Sequence, residues 1–129
     1  MTLLLDTCAL IWLSANSPDL SPAVRRAMED PENDLLVSPI TVFEIGQKQA
    51  TGKLTLSEPI DKWFKSVFKN NDLSEAEFSS EIAARAALLP PLHKDPFDRL
   101  LIATAMVHDL VLLTPDEHIR QYPGLATMW

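Results

Sequence analysis

The sequence predicts an α/β fold: a three-layer sandwich, with a central parallel sheet of four to five strands and helices on both faces. Three observations point there. Leu3-Leu4-Leu5, Leu35-Leu36-Val37 and Leu110-Val111-Leu112-Leu113 are short, unbroken apolar runs, as expected of strands buried on both faces. Segments with helical periodicity separate them, so strands alternate with helices. Two of the runs lead directly or closely into a carboxylate, Asp6 and Asp116. In parallel sheets ligands sit beyond the carboxyl ends of the strands.

The elements follow in order. The first strand is expected over Leu3 to Asp6, with a helix starting near Thr7 and running through Trp12 and Leu13. Asn16-Ser17-Pro18-Asp19 breaks it. Ser21-Pro22 pairs a cap with proline at the first helical position, opening a helix to about Glu29. After the loop Pro31 to Asp34 comes the strand Leu35 to Val37. Ser38-Pro39 repeats the cap signal for a helix to about Ala50, stopped by Gly52. Ser57 is expected to cap a further helix with Pro59 in its first turn. Ile60, Trp63, Phe64, Val67 and Phe68 form its apolar stripe. Ser74-x-x-Glu77 fits a capping box. A strand from Leu73 to Phe78 followed by a helix Ser80 to Leu89, capped by Ser79, better preserves the alternation. Pro90-Pro91 ends that helix, and Asp95-Pro96 opens another from Phe97 to about His108. Leu110 to Leu113 is the next strand. A short helix from Asp116 to Tyr122 and an edge strand within Leu125 to Met128 complete the chain.

At 129 residues the chain suits a single domain, residues 1–129, with a sizeable core. No apolar stretch approaches the length needed to span a membrane, and the first residues lack a basic n-region. A single cysteine, Cys8, leaves no internal disulfide and fits a reducing, cytoplasmic setting. The net charge of −7 excludes nucleic-acid binding by a bulk positive field. A nucleic-acid substrate would need bound cations and local basic patches.

Four acids stand apart by context. Asp6 and Asp116 follow buried strands, and Glu44 and Asp98 lie inside apolar helical stretches. A lone carboxylate in such a place costs several kcal/mol unless paired or bound to a cation. The structural alternatives are a first-turn role for Asp98 at a helix N-terminus and an i,i+4 pair between Glu44 and Lys48. Four such acids together fit one or two hard divalent ions with oxygen ligands, able to activate water and neutralise charge on a phosphoryl group.

The motifs carrying these acids are Leu4-Leu5-Asp6-Thr7-Cys8-Ala9-Leu10-Ile11-Trp12, Val42-Phe43-Glu44-Ile45, Leu89-Pro90-Pro91-Leu92-His93-Lys94-Asp95-Pro96-Phe97-Asp98-Arg99 and Thr114-Pro115-Asp116. In order and spacing the chain resembles PIN-domain ribonucleases, and most closely the VapC-type toxins of bacterial toxin–antitoxin pairs. The resemblance covers essentially the whole chain. It implies a PIN-like fold and an Mg²⁺- or Mn²⁺-dependent endoribonuclease with Asp6, Glu44, Asp98 and Asp116 as catalytic, metal-binding residues. It implies Thr114 as hydrogen-bonding support, RNA as substrate, a cognate antitoxin as inhibitor, and a homodimer or toxin–antitoxin hetero-oligomer. Cys8 stands where another polar residue or histidine is common in the family, and Glu117 adds an acid beside Asp116.

Thr7, Asp95, Arg99 and His93 are candidate supporting residues. His93 and Asp95 flank the third motif and read as a loop residue and a helix cap before Pro96, with substrate contact as the alternative. Arg99 is read either as a phosphate contact or as a counter-charge to the acids. A Cys8–histidine nucleophile using His93, His108 or His118 is disfavoured, because no motif places a histidine near Cys8 and free cysteine usually packs as a small hydrophobe. Lys48, Lys53, Lys62, Lys65 and Lys69 form the main basic group; charges facing away from an apolar stripe are normally solvated, and a weak RNA contact by Lys48 or Lys53 is the alternative. The alternative function is a catalytically idle PIN-like or receiver-like module whose acidic pocket only holds Mg²⁺.

Overall fold

The computed structural model describes residues Met1–Trp129. Its strands are β1 (Thr2–Leu5), β2 (Asp34–Val37), β3 (Leu73–Glu75), β4 (Val111–Leu113) and β5 (Thr127–Met128). Its helices are α1 (Thr7–Ser14), α2 (Pro22–Glu29), α3 (Pro39–Ala50), α4 (Ile60–Asn70), α5 (Ser80–Leu88), α6 (Pro96–Val107) and α7 (Glu117–Arg120). The sheet is parallel throughout, in the order β3-β2-β1-β4-β5. The predicted three-layer architecture is borne out.

The leucine runs behave as strands buried on both sides. Leu3 and Leu5 enter one core with Val24, Ile45 and Trp63, while Leu4 enters the other with Ile82, Leu101 and Ile102. Period-2 alternation thus feeds two helix layers from one strand. From β1 the chain proceeds outward through β2 and β3, then returns to place β4 on the other side of β1. This reversal is a topological switch point between β1 and β4, and in such sheets ligands bind beyond the carboxyl ends of the strands there. Leu5 pairs with Leu113, and the Asp6 N–H donates to the Leu113 carbonyl at 3.1 Å. The residues that follow, Asp6 on one strand and Thr114 to Asp116 on the other, are therefore neighbours.

Three helices begin as expected, with Ser21, Ser38 and Ser79 accepting from first-turn amides. Two expectations differ. Ser57 caps nothing; α4 starts after Pro59 without a local side-chain cap. Its Ile60 N–H donates instead to Gln49 Oε1 of α3 at 3.0 Å, and Gln49 Nε2 donates to the Glu58 carbonyl at 2.9 Å. Gly46 makes this packing possible, since a Cβ there would come within 3.1 Å of Ile60. β3 is also shorter than Leu73 to Phe78. Its partner β2 ends at Val37, whose carbonyl accepts from Ala76 N–H at 2.9 Å, and no ladder lies beyond. The Ser74–Glu77 capping box does not form, because Ser74 is in the strand. In the α4 stripe Trp63 and Val67 are buried, while Phe64 and Phe68 are half-buried and meet edge-on.

Candidate functional site

The crevice at the carboxyl end of the sheet is lined by helix starts. Asp6 is the N-cap of α1, and its Oδ1 accepts from the Ala9 N–H at 2.7 Å. Asp116 caps α7, accepting from His118 N–H at 2.8 Å. Asp95 caps α6 through the Phe97 N–H at 2.9 Å, and Asp98 lies in the first turn of the same helix. Helix N-termini favour negative charge, which partly offsets the crowding of acids.

Burial makes this cluster unlike surface acids. Asp6 is 5% exposed and Glu44 is 7% exposed. Burial pushes the Asp6 carboxyl up to about 6; the Thr114 hydroxyl and Ala9 amide pull it down, and the charges of Asp98 and Asp116 add to the rise. Asp98 is likewise pushed up to about 6, first by burial and then by Asp95, against the opposing hydrogen bond from His93. Glu44 reaches the site from α3 with both oxygens engaged. Thr7 Oγ1 donates to Oε1 at 2.6 Å, and Lys48 Nζ lies 3.2 Å from Oε2. The i,i+4 pair with Lys48, the structural alternative for Glu44, therefore forms, and it coexists with a position beside the other acids.

His93 lies closer to the acids than its motif position suggested. Its Nε2 is 2.6 Å from Asp98 Oδ2 and 3.9 Å from Asp116 Oδ2. One donor atom each from His93, Asp98 and Asp116 fall within 4.8 Å of one another, a set that could hold one cation. Asp6 and Glu44 stand outside this tightest group, yet Asp6 is close enough to feel both aspartates and Asp98 to feel Glu44. His118, which sequence reasoning weighed only as a partner for Cys8, stacks on His93 with ring centroids 5.8 Å apart. Its Nδ1 is 3.6 Å from Asp116 Oδ1. Its only sequence signal is its place two residues after that acid.

The remaining candidates take structural positions. Arg99 contacts no acid. Its Nη1 donates to the Pro90 and His93 carbonyls at 3.1 and 3.2 Å, and its Nη2 to the Ala86 and Leu89 carbonyls, both at 2.9 Å. It pins the loop that carries His93 to the end of α5. Thr114 Oγ1 accepts from the Asp116 N–H at 3.1 Å and so shapes the turn after β4. Cys8 is exposed rather than packed as a hydrophobe. Desolvation of its sulfur, then the Asp6 charge, pushes its thiol up to about 11. That is opposite to an activated nucleophile.

Residues 3–125 match the family described as PIN domain. The chain is 31% identical over 131 residues to ribonuclease VapC22 of Mycobacterium tuberculosis, covering 99% of this chain and 98% of that one. Its fold is similar to VapBC2 from Rickettsia felis bound to a DNA fragment from their promoter, with TM-score 0.73 and 17% identity over 99% and 98% of the two chains. It is also similar to VapBC-1 from nontypeable Haemophilus influenzae, with TM-score 0.69 and 20% identity over 99% and 97%. No helix is long and apolar enough to cross a membrane. With its sheet order, the acidic crevice and a family match over nearly its whole length, the chain belongs to the PIN-domain family, alongside the VapC ribonucleases.

Proposed function

We propose that this chain is a metal-dependent endoribonuclease, the toxin of a toxin–antitoxin pair, acting in the cytoplasm as a single PIN domain spanning residues 1–129. The observation that carries the proposal is the convergence of His93, Asp98 and Asp116 donor atoms within 4.8 Å beside the buried Asp6. The relative named as a ribonuclease supports the reaction class.

The donor set suits a divalent cation. Asp6 and Asp98 are costly to ionise where they lie, and a cation would offset that cost. Oxygen-rich donors favour Mg²⁺ or Mn²⁺. Asp98 and Asp116, whose donor atoms converge with that of His93, would hold the ion, and Asp6 and Glu44, the other two acids of the motif set, would complete its surroundings from beside them. When bound, the metal supplies activation of water and neutralisation of charge on the scissile phosphoryl group. The protein's part is orientation. Ala9 N–H fixes the Asp6 carboxylate, Thr114 sets the Asp116 turn, and Arg99 holds the His93 loop against Asp98. Because the nucleophile is an external water, the ribose 2′-hydroxyl takes no part.

A protein partner is supported by an exposed, mainly apolar groove between α3 and α4, lined by Val42, Phe43, Gly46, Ala50, Ile60 and Phe64 together with Gln47 and Asp61. Phe43 is 60% exposed there, as expected of a surface that receives an antitoxin segment or a second subunit.

The test is direct. Purified chain, free of any antitoxin, is incubated with RNA in chelator, Mg²⁺ or Mn²⁺. Cleavage only with metal, leaving 5′-phosphate and 3′-hydroxyl ends, is the expected result. Products with 2′,3′-cyclic phosphate would overturn the mechanism. Metal binding without cleavage would favour the idle binding module.

A further inference from the structure

The acidic site has an annex of mixed charge, in which two lysines stand beside the carboxylates of Glu44 and Asp95. A cleft of about 370 Å³ opens beside Glu44 and is lined by Gln47, Lys48, Thr51, Lys53, Asp95 and Phe97 as well. Its two lysines are brought together by the end of α3. Thr51 N–H donates to the Gln47 carbonyl at 3.1 Å, and Lys53 N–H folds back to the Lys48 carbonyl at 2.9 Å. Gly52 takes the left-handed conformation this reversal requires, at φ 75°. Lys53 is exposed and has no acid within ion-pair distance. Lys48 pairs with Glu44 yet keeps 44% of its side chain exposed. Arg99, the other cation near the acids, is committed to four carbonyls. In a chain of net charge −7, a polyanion reaching the acids meets these two ammonium groups in the same cleft. Phe97 adds an aromatic wall, its ring centroid 6.0 Å from that of the exposed Phe43.

We propose that this cleft is a nucleotide subsite for single-stranded RNA: Lys53 and Lys48 hold the phosphate adjacent to the cleaved bond, and Phe97 stacks on the accompanying base. This rests on the endoribonuclease reading above. Lysines on a backbone phosphate with an aromatic under the base form a common arrangement for single-stranded nucleic acid. The contacts give affinity and register rather than base identity.

The experiment is steady-state cleavage of a short single-stranded oligoribonucleotide in Mn²⁺ across a series of NaCl concentrations. It compares wild type with Lys53→Gln, Lys53→Arg and the control Lys65→Gln, an exposed lysine on α4. Lys53→Gln is expected to lower kcat/KM about tenfold, mostly through KM, as for loss of a charge-assisted contact. The slope of log kcat/KM against log salt should shrink by about 0.7, the value for one phosphate contact on a single strand. Lys53→Arg should restore both, and Lys65→Gln should stay within about twofold of wild type. Wild-type KM and salt slope in Lys53→Gln, or an equal loss in Lys65→Gln, would overturn the subsite. Failure of the wild type to cut any RNA would instead remove the ribonuclease reading on which it rests.

Discussion

The two ends of the sheet are both acidic, and they differ in how the acids are held. At the amino end of the strands a cleft of about 540 Å³ is lined by Glu29, Asp30, Asp34 and Asp72, all exposed. At the carboxyl end Asp6 and Glu44 are buried, Asp98 and Asp116 stand beside them, and helix starts, Thr7 and Lys48 fix the carboxylates in place. The count of acids is similar. What differs is desolvation: water screens the amino-end acids, whereas the carboxyl-end acids must find hydrogen bonds, protons or a cation.

Substitutions at the two ends should therefore differ in kind. Asp6→Asn and Asp98→Asn are each expected to lower RNA cleavage by about three orders of magnitude or more, since each removes a candidate anchor of the ion. Asp30→Asn and Asp72→Asn, measured in the same assay, should change it by less than about twofold. Equal losses at the two ends would erase the distinction drawn from burial.

Next in size is the support around Glu44. Thr7→Val removes the 2.6 Å hydrogen bond to Oε1. It should weaken metal affinity about 10- to 100-fold, the range for lost outer-shell support, read by Mn²⁺ titration. His93→Ala should cost about tenfold by the same reasoning. His93 is positioned on Asp98 and Asp116, and the titration would expose a larger role by a loss as deep as that of Asp98→Asn.

A subtler contrast lies in pH. Asp6 and Asp98 both rise from 3.8 to about 6 on folding. The folded chain then holds protons more tightly than the unfolded chain between those values. Their contribution to metal-free stability is fully present below 3.8 and is lost as pH rises through about 6. Chemical denaturation in chelator should show the difference between wild type and Asp98→Asn moving against wild type as pH rises across that window. A flat difference would mean that Asp98 feels no net desolvation.

Much of this was legible in the sequence, for identifiable reasons. Leu3-Leu4-Leu5 and Leu112-Leu113 announce two-sided burial because no polar residue interrupts them, and serine or aspartate before proline marks three helix starts. The positions of Asp6 and Asp116 follow from strand ends. What stayed hidden depends on contacts between distant segments. The cap of α4 comes from Gln49 on another helix. Arg99 turns toward carbonyls of the preceding loop instead of toward the acids. His93 meets Asp98 from a loop whose carbonyls accept from Arg99. No periodicity or local motif encodes such pairings.

The most direct test is thermal melting of wild type and Asp98→Asn, each in chelator and in Mn²⁺, near neutral pH. If the carboxyl-end acids form a metal site, removing one half-buried charge relieves repulsion. Asp98→Asn should then melt at or above wild type in chelator. Mn²⁺ should raise the wild-type melting temperature by several degrees and Asp98→Asn by much less, because the ion binds only the assembled cluster. Asp98→Asn melting well below wild type in chelator, with neither protein shifted by Mn²⁺, would contradict this. Asp98 would then be a structural partner of His93 at a helix start, and the crevice would hold no metal.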